Sequence, residues 1–293
     1  QWHKHIPSDA AFATIAHSAN FVAELRNTHH RGYLVQDFEA LFNPMSDGYV
    51  IAENSYTQGL QHFTIGNWLT HVINTRYGAP SAPAGLGVDT AVYRPLLGAS
   101  ATGARTGAGG TASAAKDAPK RELAVCFLYQ PDKPRRTPIL GIEALRRVKR
   151  AMPEVKVYVF GSNLPLNLDF EVENLGLITD LTKLNALYNR CVAGLCVSGS
   201  NPSRIPYEMM AAGCIPVDLY RYNNLLDHQT GTILLAYQNA ASIAKALLSI
   251  LGDPAKARDM SASAIEFAKS RTLEWEVDVI ANNLMALMDG DLP

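Results

Sequence analysis

The sequence predicts an α/β protein whose larger, C-terminal part is a parallel, doubly wound sheet. Three observations predict it. Beyond residue 120, short apolar strands alternate with amphipathic helices, the pattern of a sheet covered on both faces. Residues 98–120, almost wholly Ala, Gly, Ser and Thr, divide the chain; such a segment buries too little surface to offset its ordering entropy and reads as a flexible linker. The run from Pro202 to Val217 passes from a polar loop into a short helix, then through Gly213 into an apolar strand, and glycine is the residue that most cheaply closes a helix in the left-handed region.

The elements follow in order. In the first part, residues 32–36 read as a short strand, 52–60 as a helix and 62–65 as a strand. Residues 68–77 repeat apolar side chains at helical spacing through Trp68, Leu69, Val72 and Ile73. Two or three strands are few for a self-sufficient sheet. After the linker, residues 123–129 are an apolar strand, 139–152 an amphipathic helix and 155–160 a strand of β-branched and aromatic residues. A third strand is expected over 175–178, and a helix over 181–191 with Asp180 as its N-cap. A strand at 194–197, the 207–212 helix and strands at 215–219 and 232–236 come next. Helices at 240–251, 256–269 and about 275–288 complete the chain.

Composition narrows the functions. The chain has 293 residues, 47% hydrophobic and 18% charged, with a net charge of −1, so no overall electrostatic pull toward nucleic acid is written into it. No apolar run approaches the roughly 18 residues that a membrane span needs. Cys126, Cys191, Cys196 and Cys214 lie in or beside apolar runs without a CxxC pair and read as reduced core cysteines rather than disulfides. His3 and His5, or His29 and His30, lack companions at metal-ligand spacing and read as surface histidines. There is no GxGxxG or Walker A loop and no serine-nucleophile elbow.

Ligands of such sheets lie beyond the carboxyl ends of the strands, which selects the loops at 130–137, 161–163, 179–180 and 198–206. Gln130 to Thr137 sets Lys133, Arg135 and Arg136 directly after the first strand of the second part, and Ser198 to Arg204 supplies hydroxyls and a further arginine after a later one. Cations and backbone N–H groups converging there suit a diphosphate and its stabilisation as a leaving group; a solvated basic turn has the same composition. The loop before the 207–212 helix offers N–H groups to a phosphate, and Glu208 can turn toward a sugar hydroxyl over that end. An ordinary loop–helix–strand unit with a solvated Glu208 fits the same residues. The run Gln36, Asp37, Phe38, Glu39 follows a strand and suits either a cleft or a structural turn.

Gly87-Val88-Asp89 followed by Tyr93-Arg94-Pro95 resembles the GVD…(F/Y)xP signature at the domain junction of GT-B glycosyltransferases of family 4, and residues 198–217 resemble that family's donor-binding E-x7-E region. Tyr33 to Glu39 with Leu41, Phe42 and Pro44, then Ala52 to Tyr56, is similar to the rhamnosyltransferase branch of rhamnan and S-layer glycan assembly. Residues 129–136 and 206–213 match that branch too. The resemblance covers most of the chain outside the linker. It implies a GT-B fold with a complete C-terminal Rossmann-like donor domain over 121–293 and a partial N-terminal Rossmann-like, acceptor-side domain over 1–97. Two departures stand out: Ser200 occupies the place of the first glutamate of E-x7-E, and the N-terminal domain is expected to lack its beginning, leaving a chain that binds nucleotide yet transfers little sugar.

The resemblance further implies transfer of a sugar from a nucleotide-diphosphate donor, dTDP-L-rhamnose foremost, to a growing glycan or lipid-linked glycan, in the cytoplasm with association at the inner membrane face. No metal or other cofactor is implied. Arg135 and Arg136 would stabilise the leaving diphosphate. Lys133, Gly161, Ser162, Ser200, Asn201, Ser203, Arg204, Ile205 and Glu208 would bind the donor, Glu208 through the ribose, and Gln36, Asp37 and Glu39 would line the acceptor side. A nucleotide-sugar 2-epimerase and a non-catalytic nucleotide-sugar binding subunit are the rival readings, since fold does not fix chemistry.

Overall fold

The structure, a computed structural model, describes residues 7–96 and 121–291. The linker expected at 98–120 lies outside the described residues, as do His3 and His5. The first sheet holds strands β1 (Ser8–Ala13), β2 (Thr28–Val35), β3 (Gln61–Ile65) and β4 (Ser81–Gly85), all parallel and in sequential order. Helices α1 (Ala16–Ala23), α2 (Asp47–Asn54) and α3 (Asn67–Tyr77) make the crossovers.

This sheet is larger than the sequence suggests, because neither edge strand has a strand-like composition. β1 is rich in alanine, a poor strand former, and β4 reads Ser-Ala-Pro-Ala-Gly. Pro83 is tolerated because β4 pairs on one side only, so its missing N–H costs no ladder bond. The helix expected over 52–60 instead starts at Asp47, ends at Asn54 and tightens into a 3-10 turn at Ser55–Thr57.

The second sheet contains β5 (Glu122–Leu128), β6 (Lys156–Phe160), β7 (Glu173–Asn174), β8 (Cys191–Leu195), β9 (Ile215–Leu219) and β10 (Leu234–Ala236). Between them run α4 (Pro138–Ala151), α5 (Leu181–Arg190), α6 (Ile205–Ala211), α7 (Tyr222–Asp227) and α8 (Ala240–Leu251), followed by α9 (Pro254–Lys269) and α10 (Leu273–Asp289). The spatial order is β10-β9-β8-β5-β6-β7, every pairing parallel, with the direction of winding reversing between β5 and β8. The strand expected at 175–178 lies just upstream as β7, which pairs with β6 only through Tyr158 and Val159. Asp180 caps α5 as expected, its Oδ1 accepting from the N–H groups of Thr182 at 2.9 Å and Lys183 at 3.4 Å.

Side chains alternate across the second sheet with period two. Val125, Phe127, Val157 and Val159 pack with Leu145 and Val148 of α4 and Leu247 of α8. Ala124, Cys126, Tyr158 and Phe160 pack on the opposite face with Leu187 of α5, Met209 of α6 and Phe267 of α9. Leu145 is fully buried, and truncating such a leucine to alanine typically costs about 2–5 kcal/mol. That second face merges with the core of the first sheet, where Phe63, Ile65 and Leu69 belong to the same apolar cluster. All the cysteines are buried and free.

The last helix returns to the first sheet. Val88 N–H donates to the Arg271 carbonyl at 2.8 Å and Leu273 N–H to the Val88 carbonyl at 3.2 Å, splicing residues 87–88 to the start of α10. Farther along, Asn283 Nδ2 donates to the Pro83 carbonyl at 2.7 Å, so α10 covers the β4 edge.

Candidate functional site

The two loops that flank the reversal of strand order meet each other. Ligands of open α/β sheets bind at such a switch point, outside the carboxyl ends of the strands. After β5 the chain forms a 3-10 turn at Pro134–Arg136, then passes through Thr137 at φ 45° into α4. A β-branched residue in the left-handed region is uncommon and carries backbone strain. After β8, Gly199 N–H donates to the Arg135 carbonyl at 2.7 Å. A Cβ on Gly199 would lie 3.2 Å from that oxygen, so glycine permits the approach of the two backbones.

Arg135 and Arg136 sit half-buried where the two loops meet. Nε of Arg135 and both Nε and Nη1 of Arg136 are buried without a hydrogen-bond partner among the described residues, as is the Ser203 hydroxyl. Burial, then the neighbouring Arg135 charge, lowers the pKa of the Arg136 guanidinium, while Asp37 and Asp218 favour its charged form. The junction of the two loops therefore holds a surplus of buried N–H donors and positive charge. The Arg135 guanidinium also lies 4.4 Å from the centre of the Phe42 ring, which belongs to the first half.

Beneath the 198–201 loop is a buried polar floor that the sequence did not disclose. Asp218 on β9 accepts the N–H groups of Ser198 at 3.1 Å and Leu219 at 2.7 Å through Oδ1, and its Oδ2 has no partner among the described residues. Burial pushes its carboxyl up to about 7. Asn223 Nδ2 donates to the Ser200 carbonyl, and the Ser198 hydroxyl donates to the Asn201 carbonyl at 2.8 Å. An aspartate inside the apolar run Ile215–Leu219 was the available signal, since a buried acid needs partners.

The first half reaches directly into this loop. Asp37, just after β2, accepts from Asn201 N–H at 3.0 Å and from the Ser200 hydroxyl at 3.1 Å, with Arg135 Nε 3.8 Å away. Asn201 Nδ2 in turn donates to the carbonyls of Gln36 and Ile65, each at 3.3 Å. Asp37 thus stands directly on the 198–201 loop. Glu39 is turned away: it accepts Ala16 N–H at the start of α1 and the Tyr33 hydroxyl, each at 3.0 Å. Gln36 is exposed and donates to the Thr14 carbonyl at 3.3 Å.

Other expected residues divide in the same way. Arg204 directs its guanidinium to the buried Glu276 of α10, both contacts being 2.6 Å, and to the Gly87 carbonyl. Ile205 packs against the core. Glu208, one turn into α6, lies beside Tyr188, whose hydroxyl donates to it at 3.4 Å. Burial raises the Glu208 carboxyl to about 7, opposed by Tyr188, Arg204 and Tyr93. Gly161 closes β6 with φ 102°, while Lys133, Ser162 and Gly161 are half-buried around the loops after β5 and β6. Gly213 adopts the expected left-handed conformation at φ 76°.

Two Rossmann-like parallel sheets whose loops meet at a switch point, tied by a returning C-terminal helix, make the GT-B glycosyltransferase fold. Residues 123–248 match the family described as WsaF, C-terminal domain. The O-antigen biosynthesis protein RfbC of Myxococcus xanthus is 28% identical over 289 residues, which is 94% of this chain and 21% of that protein. The chain thus spans about a fifth of the length of this curated relative. Among solved structures, sucrose-phosphate synthase of Thermosynechococcus elongatus aligns with a TM-score of 0.72 at 14% identity, covering 96% of this chain and 74% of its own. Anabaena HepE in complex with UDP-glucose aligns at 0.70 and 15% identity, covering 95% and 79%.

Proposed function

We propose that this chain is the nucleotide-sugar-handling part of a glycosyltransferase of glycan biosynthesis, taking dTDP-L-rhamnose as donor and a growing polysaccharide as acceptor. The observation that carries the reading is the meeting of the loops after β5 and β8, where Arg135 and Arg136 hold buried guanidinium N–H groups without hydrogen-bond partners among the described residues. Preorganised positive charge of that kind stabilises a departing nucleoside diphosphate. The similarity to an O-antigen biosynthesis protein and to a structure holding UDP-glucose supports the same class of chemistry.

In this reading Arg135, Arg136 and Lys133 neutralise the diphosphate, the Ser203 hydroxyl and the loop amides hold its oxygens, and Glu208 takes the ribose hydroxyls. The arginines supply the charge that a metal ion supplies elsewhere. The acceptor, a glycan or lipid-linked glycan, enters beside Gln36 and Phe42, at the cytoplasmic face of the membrane.

Calorimetric titration with TDP, UDP, GDP and ADP tests the site, and turnover of dTDP-L-rhamnose with and without glycan acceptor tests the reaction. Selective micromolar binding of TDP and acceptor-dependent release of TDP are expected. Failure of every nucleoside diphosphate to bind would overturn the reading, and conversion of the donor without acceptor would replace it with an isomerase.

A further inference from the structure

Asp37 is an anion held by the groups that would hold a ligand's anion. A backbone N–H from Asn201, a hydroxyl from Ser200 and a guanidinium from Arg135 converge on its carboxylate, at 3.0, 3.1 and 3.8 Å. That combination of donors also binds phosphoryl oxygens. Asp37 comes from the first half of the chain, yet these contacts lie on the two loops at the switch point of the second sheet. It does not exhaust them. Nε and Nη1 of Arg136 and the Ser203 hydroxyl remain buried without hydrogen-bond partners among the described residues, and Arg135 Nε, at 3.8 Å, faces Asp37 without hydrogen-bonding it. One carboxylate brings two oxygens and a single charge, whereas a diphosphate brings more of both and fits the surplus.

We propose that Asp37 is the resident anion of the donor site and that a nucleoside diphosphate displaces it, taking over the Asn201 N–H, the Ser200 hydroxyl and Arg135. This rests on the reading of the loop junction as a diphosphate site. The exchange links donor binding to the join between the two halves. Asp37 bridges that join, and its release leaves the other contacts across it in place, among them the Asn201 side chain on the Gln36 and Ile65 carbonyls and Asp227 on the N–H groups of Asn67 and Trp68. No covalent step is involved: one set of charge-assisted hydrogen bonds is traded for another.

The test is calorimetric titration of the chain with inorganic pyrophosphate and with TDP, in wild type, Asp37→Ala and Asp37→Asn. Removing a competing like charge should tighten binding of both probes by about tenfold in each variant. Equal or weaker binding in both variants, with the wild type binding normally, overturns the displacement and leaves the diphosphate site standing. Absence of binding in all three proteins, together with intact thermal unfolding, overturns the site and the displacement together. Should Asp37→Ala fail to fold, Asp37→Asn carries the test, because it keeps the volume and removes the charge.

Discussion

The carboxylate of Glu276 holds Arg204 by two 2.6 Å contacts while it accepts the Gly87 N–H at 2.7 Å. One buried acid on α10 therefore fixes both the residue that precedes α6 and the turn that leaves the first sheet. Replacing Arg204 with alanine strands that acid with a single backbone donor. Because Arg204 is partly exposed, the loss should be about 2–3 kcal/mol, below the full cost of breaking a buried pair. Urea unfolding measures it, and a loss below about 0.5 kcal/mol would show that apolar contacts alone hold α10.

Arg136→Ala should weaken TDP and pyrophosphate binding by roughly ten- to hundredfold, since hydrogen bonds to charged groups contribute about 1.5–3 kcal/mol each. Arg135→Ala should act in the same direction, and also release Phe42 from its cation–π contact. Unchanged affinity in both variants would remove the arginines from the site.

Glu208 is expected to bind a hydroxyl pair rather than to transfer a proton. Glu208→Gln keeps an acceptor oxygen and should lose less TDP affinity than Glu208→Ala. A Glu208→Gln protein that binds donor normally but has lost turnover would instead assign the carboxyl to acid–base chemistry, for which a value about 7 would suit it.

Asp218 gives a pH signature. Its folded pKa of about 7 lies above the usual carboxylate value, so the folded state binds the proton more tightly than the unfolded state. The stability it contributes is present below about pH 4 and is lost as pH rises through about 7. Asp218→Asn retains an acceptor for Ser198 and Leu219 N–H without the charge. Its stability relative to wild type should therefore grow between pH 5 and pH 8 in parallel thermal melts; a constant difference would place the Asp218 titration outside that window.

Much of the second sheet was legible because β5, β6, β8 and β9 are dense in apolar and β-branched residues, and because Asp180 and Gly213 mark helix ends by local chemistry alone. The edge strands β1 and β4 were not, since their alanine, proline and glycine are accepted only through pairing and cover supplied by the rest of the fold. At the site, both loops were expected at carboxyl ends of strands in one sheet, and their meeting comes from the adjacency of β5 and β8, which the sequence does not spell out. The partners of individual side chains did not: Asp37 lies 164 residues from Asn201 and Arg204 lies 72 from Glu276, distances at which no local pattern operates.

The return of α10 to the first sheet also sets an order of assembly during synthesis. Gly87 waits for Glu276, 189 residues later, and Pro83 waits for Asn283, 200 residues later. While the ribosome makes the second sheet, the β4 edge is uncovered and the turn at 87–88 lacks its hydrogen-bonding partners. The first sheet, made before the second, thus closes only after it, and its open β4 edge is exposed meanwhile to strand-pairing neighbours and chaperones.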